Sequence, residues 1–247
     1  MVPVPEVVWH DIECGPESGD LELWRRLAAE GEGEVLELGC GTGRVGLRLA
    51  RNGHELIGIE RRPALAGTFN ERAGREGLPA QAIVADARNL HLRRLFGLLI
   101  APMQLVQQVG DAEARRELLA AVAEHLEPGG RAGFAIVEDD AMLESMAADE
   151  DDDVLPEIRE IHGWVFSSRP VSIHSAPGVT VVRRYRQRVS PRGEIFEEHH
   201  SDELRSLSAA GLEAEAGEAG LAPLARERLE PTPDYAPSTV VIVEKRL

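Results

Sequence analysis

The residues best suited to chemistry lie in one short run. VLELGCGTGRVG, Val35 to Gly46, places four glycines in twelve residues, directly after an apolar stretch containing one acid, Glu37. Glycine reaches positive φ without steric cost and lets a ligand approach the backbone closely. Between a strand and a helix, such a run makes a nucleotide-binding turn, with free helix amides facing polar ligand groups. Residues 41–46 fit the dinucleotide pattern G-x-G-x-x-G literally. Two further acids, Glu60 and Asp86, follow at the ends of later apolar runs. A carboxylate at the first accepts both hydroxyls of a ribose. One at the second takes the exocyclic amine of an adenine, with Ala87 leaving room for the ring. Glu37 separates the ligand classes: two residues before Gly39, it is misplaced beside a pyrophosphate and suits an amine or a positive centre. Arg61 and Arg62 follow Glu60, so a ribose phosphate stays open, and an NAD-dependent oxidoreductase is the alternative enzyme class.

These residues need a scaffold, and the chain supplies a regular one. Asp20 reads as the N-cap of a helix with Leu23, Trp24 and Leu27 on one face and a stop at Gly31. VLEL is a strand, RVGLRLARNG a helix ending at Gly53, HELIGIE a strand ending at Glu60, and RPALAGTFNERAGREG a helix. QAIVADARN is a strand and loop, and FGLLIAPMQL the fourth strand. DAEARRELLAAVAEHLEPGG is a helix with a Pro-Gly-Gly exit, and RAGFAIVED the fifth strand. Alternating strands and helices predict an α/β fold: a Rossmann-like, mostly parallel sheet with helices on both faces and ligands at the strand carboxyl ends.

The pattern then changes. Residues 138–153 form a highly acidic connection, read as solvated surface. WVFSSRPVSIHS, VTVVRRYRQRVS and EIFEEHHS follow as antiparallel strands, parted by turns at Pro177-Gly178 and Pro191-Arg192-Gly193. SDELRSLSAAG predicts a helix capped by Ser201, GLEAEAGEAG a strand and loop, and PSTVVIVEKR a last strand. The expected division is 1–140 as the cofactor-binding core, 141–200 as the acidic connection and an antiparallel insertion over the active site, and 201–247 as completion of the core sheet.

Composition narrows the partners. The chain has 247 residues, 43% hydrophobic and 28% charged, with a formal net charge of -16. Such a surface repels a phosphate backbone, so nucleic acid is not an expected partner. RRYRQR (183–188) is the best candidate for a basic patch and reads as a solvated strand face. Two cysteines, Cys14 and Cys40, make no disulfide framework, and Cys40 reads as small loop filler. The N-terminal residues lack the basic region and apolar core of a signal peptide, and no uncharged stretch reaches transmembrane length. A cytoplasmic protein without membrane contact is expected.

Taken in order and spacing, VLELGCGTGRVG, Glu60, Asp86-Ala87 and FGLLIAPMQLVQQV resemble the motifs of the class I S-adenosylmethionine-dependent methyltransferases, in the small-molecule-like branch. The resemblance runs from WHDIE (9–13) to STVVIVEKR. It implies a seven-stranded core sheet, S-adenosyl-L-methionine as cofactor, and a small-molecule substrate. It implies that Gly39, Gly41 and Gly43 surround the methionine and ribose part, that Glu60 holds the ribose, and that Asp86 holds the adenine. Glu37, Cys40, Arg61, Ala87 and Ala101 complete the expected cofactor contacts, with Trp9 closing over the ligand or packing as core. The chain departs from the family's pattern at Trp9-His10-Asp11, where Tyr-Asp is frequent, at Gly97, and at Gln107-Gln108.

Methyl transfer from a sulfonium is an in-line displacement that needs alignment and water exclusion more than a fixed catalytic constellation. His10 is the candidate base and Gln104 the candidate to orient substrate. Gln107, Trp164 and His199-His200 are further substrate-side candidates. A metal reading of the two histidines fails because adjacent strand side chains face opposite ways. Trp164, Phe166 and Tyr185 read as packing of the insertion. A non-catalytic module that binds the cofactor as a sensor is the second alternative, since no base is obvious. A monomer or homodimer is expected.

Overall fold

The computed structural model describes residues 2–15, 19–31, 33–138, 156–231 and 236–246. The acidic connection beyond Glu138 lies outside the described residues. The elements in chain order are α1 (Pro5–Glu13), α2 (Leu21–Glu30), β1 (Val35–Leu38), α3 (Gly46–Arg51), β2 (Leu56–Glu60), α4 (Pro63–Glu76), β3 (Ala80–Val84), β4 (Phe96–Ala101), α5 (Leu105–Gln108) and α6 (Ala112–His125). They continue with β5 (Leu126–Ile136), β6 (Glu157–Ile161), β7 (Trp164–Ala176), β8 (Val179–Val189), β9 (Ile195–Arg205), α7 (Ala209–Glu218), β10 (Leu221–Leu229) and β11 (Ser238–Lys245). Among the described residues no helix is long and apolar enough to cross a membrane.

Contacts divide the chain into two compact units. Residues 16–138 and 207–247 form one, and residues 1–15 with 139–206 the other. In the larger unit the sheet order is β10-β11-β5-β4-β1-β2-β3. β3, β2, β1, β4 and β5 run parallel, while β11 and β10 run antiparallel. All four residues of β1 are buried, as a strand covered on both faces requires. Successive side chains alternate. Leu36 and Leu38 join a core built with α5, α6 and α7. Val35 joins the opposite core with α2, α3 and α4. The Rossmann-like, seven-stranded reading therefore holds, with helices on both faces and the antiparallel strands inserted after β5.

Three local readings are corrected. Ser201–Arg205 is strand: β9 pairs with β8 from Val189↔Ile195 to Val179↔Arg205, and that ladder overrides a weak local helix preference. The helix starts instead at Ala209, where Ser208 Oγ accepts from the Gly211 amide at 3.0 Å. GLEAEAGEAG is largely helix α7, not strand. Its alternating glutamates mimic a strand period, but Leu212 and Ala216, one turn apart, both face the core. Asp20 makes no side-chain cap bond to α2. Helix α1 and strand β10 carried no assignment from sequence.

In the smaller unit, β6-β7-β8-β9 form an antiparallel sheet, and α1 packs on one face of it. Phe166 is fully buried against Trp9, their rings edge-on at 5.0 Å. Arg186 clasps Glu13 through two 2.6 Å bonds, and Ser168 Oγ adds a third to the same carboxylate. Residues 183–188 are therefore not simply a solvated face: Arg183 is exposed, whereas Arg186 is buried.

Gln107 in α5 imitates a strand partner. Its amide nitrogen donates to the Val137 carbonyl at 2.9 Å, and its carbonyl accepts from the Val137 amide at 2.8 Å, which ties the chain after β4 to the end of β5. Gln107→Ala removes both bonds at a buried position and is expected to destabilise the fold by about 2 kcal/mol or more, measured by urea denaturation.

Candidate functional site

Five parallel strands bring their carboxyl ends to one edge of the larger unit, and β1 lies between β4 and β2, where the strand order reverses. Open α/β sheets bind ligands at such a switch point. The glycine loop leaves β1 here. Gly39, Gly41 and Gly43 have φ of +66°, +54° and +99°, a backbone that L side chains rarely adopt. A Cβ on Gly43 would also meet Leu47 at 2.5 Å, so this turn admits no side chain without rearrangement.

Glu37 lies beneath that loop. Only 2% of it is exposed, and its Oε2 atom has no hydrogen-bond partner. Gly46 is the reason it fits: a Cβ there would meet Glu37 Oε2 at 2.4 Å. Burial pushes the Glu37 carboxyl up to about 8. The Arg44 charge and the Gly46 amide oppose this rise, while Asp20 and Glu60 add to it. Arg44, inside the loop, forks onto Asp20 at 2.7 and 2.8 Å. Asp20 is fully buried, and Trp24 Nε1 donates to it at 2.9 Å. Asp20 therefore serves the loop rather than the α2 terminus.

Glu60 ends β2 at 4% exposure. Its Oε2 accepts from the Gly41 amide at 3.1 Å and its Oε1 from the Arg62 amide at 2.9 Å, so one acid ties the loop to its own strand. Arg61 beside it is exposed. Asp86 is exposed after β3 and is held by Arg88, whose Nε and terminal nitrogen reach its two oxygens at 3.0 and 2.6 Å. That bonding keeps the Asp86 carboxyl below the usual range. Ala87 packs against the core beside it. Ala101 is fully buried at the end of β4.

The Cys40 side chain turns into the core over β2, filling the space a side chain on Gly58 would take; a Cβ there would lie 2.5 Å from Sγ. Burial pushes its thiol far up, so it is no nucleophile. Gln104 and Met103 both have φ of +56°, uncommon outside glycine. Gln104 Nε2 donates to Ser238 Oγ at 3.0 Å, which holds this strained turn against the start of β11.

The edge thus gathers the glycine loop, Glu37, Glu60, Ala101 and Gln104 on adjacent strands, with Asp86-Ala87 after the outer strand. Trp9 and His10 belong to α1 of the other unit, where Trp9 packs on Phe166. Trp164 stacks near Phe166 and Phe196 in that unit. His199 and His200 pair across from Tyr185 and Arg184 and so lie on opposite sheet faces. Sequence reasoning missed the Arg44–Asp20 pair. Arg44 stood in view as a variable position of the glycine motif, but nothing local links residues twenty-four apart.

The comparisons agree with this geometry. The family described as "Methyltransferase domain" matches residues 35–130. Over 99 residues, 40% of this chain, the sequence is 31% identical to the cypemycin N-terminal methyltransferase of a Streptomyces species, and the match spans only 39% of that relative's length. A sugar N-methyltransferase structure from a Streptoalloteichus species superposes with a TM-score of 0.77 at 17% identity, covering 100% of this chain and 94% of the other. An amino pentose methyltransferase from Micromonospora echinaspora gives 0.72 at 18% identity, covering 99% and 98%. Residues 35–130 thus match a methyltransferase domain, and the fold over the whole chain is the one these solved methyltransferases have.

The raised Glu37 carboxyl has a measurable consequence in the ligand-free protein. A group with a folded pKa above its unfolded value contributes stability that is fully present below the unfolded pKa. That contribution is lost as pH rises from about 4.5 through about 8. Glu37→Gln carries no such group. Its melting temperature relative to wild type is expected to rise steadily across that window, in thermal unfolding followed by circular dichroism.

Proposed function

We propose that the chain is a methyltransferase that uses S-adenosyl-L-methionine to methylate a small-molecule nucleophile by in-line displacement. One observation carries the reading: a buried carboxylate with an unpartnered oxygen, Glu37, under three left-handed glycines at the switch point of a parallel sheet. An orphaned buried acceptor asks for a donor. The α-ammonium of the cofactor's methionine part is one, and a pyrophosphate is not. The residues present therefore fit this cofactor better than a dinucleotide.

When bound, S-adenosylmethionine supplies an electrophilic methyl group on a sulfonium sulfur. The chain's own work is to bind and align. The glycine loop admits the ligand to the backbone, and Glu37 meets the ammonium. Glu60 turns from the Gly41 and Arg62 amides to the ribose hydroxyls. Asp86 takes the adenine amine in exchange for Arg88, a trade made cheap by the exposure of that pair, since surface ion pairs contribute little. Ala87 and Ala101 line the cofactor with small apolar surface. Gln104, pinned by Ser238, orients the acceptor group. Small-molecule acceptors are favoured because two full-length structural neighbours are named for sugar and amino pentose methylation. The net charge of -16 suits an amine-bearing acceptor.

Titration calorimetry with S-adenosylmethionine, S-adenosylhomocysteine and NAD tests the reading. Micromolar binding of the first two is expected. Glu60→Ala is expected to weaken it by about tenfold or more, the scale of a lost charge-assisted pair of hydrogen bonds. Binding of NAD alone would overturn the assignment. Cofactor binding without S-adenosylhomocysteine release across a panel of amine and hydroxyl acceptors would favour a sensor.

A further inference from the structure

The buried charges around the glycine loop do more than hold it. Four groups bear on the Glu37 carboxylate: Arg44 from the loop, Asp20 from the segment before α2, Glu60 from β2, and the Gly46 amide at the start of α3. The thiol of Cys40 is buried on the same side. Three of these groups are acids or weak acids and one is a cation. A guanidinium beside a buried carboxylate ordinarily pairs with it. Here both terminal nitrogens of Arg44 are committed to Asp20, at 2.7 and 2.8 Å, with the Arg44 side chain 9% exposed and that of Asp20 fully buried. Asp20 is itself fixed by the Trp24 indole, and Trp24 is fully buried, its ring 3.0 Å from where a side chain on Gly133 would begin. Arg44 therefore acts on Glu37 as a nearby charge, and Glu37 Oε2 keeps no hydrogen bond.

We propose that Asp20 is a positioning residue of this site: by holding Arg44 it keeps Glu37 unpaired and protonated, and arrival of a cationic ligand group expels that proton. The inference rests on the reading of the edge as an S-adenosylmethionine site. The balance is simple. The Glu37 carboxylic acid gives one proton to the buffer and becomes a carboxylate. The ligand's ammonium keeps all its protons and pairs with it. No bond to carbon or sulfur changes. Because only the ionised form receives the ligand, apparent affinity is proportional to the fraction of Glu37 that is ionised. Burial raises the Glu37 carboxyl to about 8, so this coupling falls across neutral pH.

Calorimetry of the intact chain with S-adenosylhomocysteine, in buffers of different ionisation enthalpy, counts the proton. Wild type is expected to release most of one proton per ligand at neutral pH, with affinity rising by up to about tenfold per pH unit below about 8. Glu37→Gln is expected to bind with no proton release. Asp20→Asn keeps an oxygen for the Trp24 indole but removes the charge. Arg44 then turns to Glu37, and both the proton release and about tenfold of affinity are lost. Asp20→Glu is expected to recover part of the release. If Asp20→Asn does not fold, Trp24→Phe, which frees Asp20, shows the same loss in smaller measure. Ligand binding by wild type without proton release overturns the inference and leaves the cofactor reading standing. So does a release unchanged in Asp20→Asn, or in Trp24→Phe where that variant stands in. Failure of wild type to bind either S-adenosyl compound overturns both.

Discussion

A carboxylate buried in the middle of a central strand is the constraint on which this site depends. Desolvating a charged group is costly, and the surroundings must answer that cost locally. Glu37 lies between fully buried Leu36 and Leu38 on a strand covered from both faces. The structure answers with close backbone and one cation. Gly46 opens α3 without a side chain so that its amide reaches the carboxylate. Arg44 lends charge from the loop, and Asp20 with Trp24 decides where that charge sits. The helix start, the loop glycines and the segment before α2 are thus parts of one electrostatic arrangement.

The same edge stores backbone strain. Three glycines take the left-handed region after β1, and two residues that are not glycine, Met103 and Gln104, take it after β4. Such conformations persist only when neighbours over-determine them. Here Gln104 is held to Ser238, and Gln107 is held to both polar groups of Val137. The turn after β4 is therefore pinned at two points.

Much of the fold was legible before any coordinates. The apolar runs from Val35 to Ile136 named five strands because parallel strands buried on both faces have little freedom in composition. The glycine turn, Glu60 and Asp86 were legible because positive φ and strand-end acids leave marks at fixed local positions. Less visible was the stretch from Ser201 to Leu229. There the β8–β9 ladder lengthened a strand through residues with helical signals, and a glutamate-rich helix wore a strand's period. Helix α1 escaped notice because the partners of Trp9 and Glu13 lie far along the chain, at Phe166 and Arg186.

The sequence by itself determined the fold class, the loop conformation and which acids stand at the strand ends. Each of these follows from local sterics and from periodicity within a few residues. Only the tertiary structure decided the states of those acids. Whether Glu37 is charged depends on its depth and on an arginine held by a residue before α2. Whether Glu60 is free depends on amides at Gly41 and Arg62, and Asp86 is held by Arg88. Burial and charge are sums over everything within reach in space, and no local stretch of sequence contains that sum.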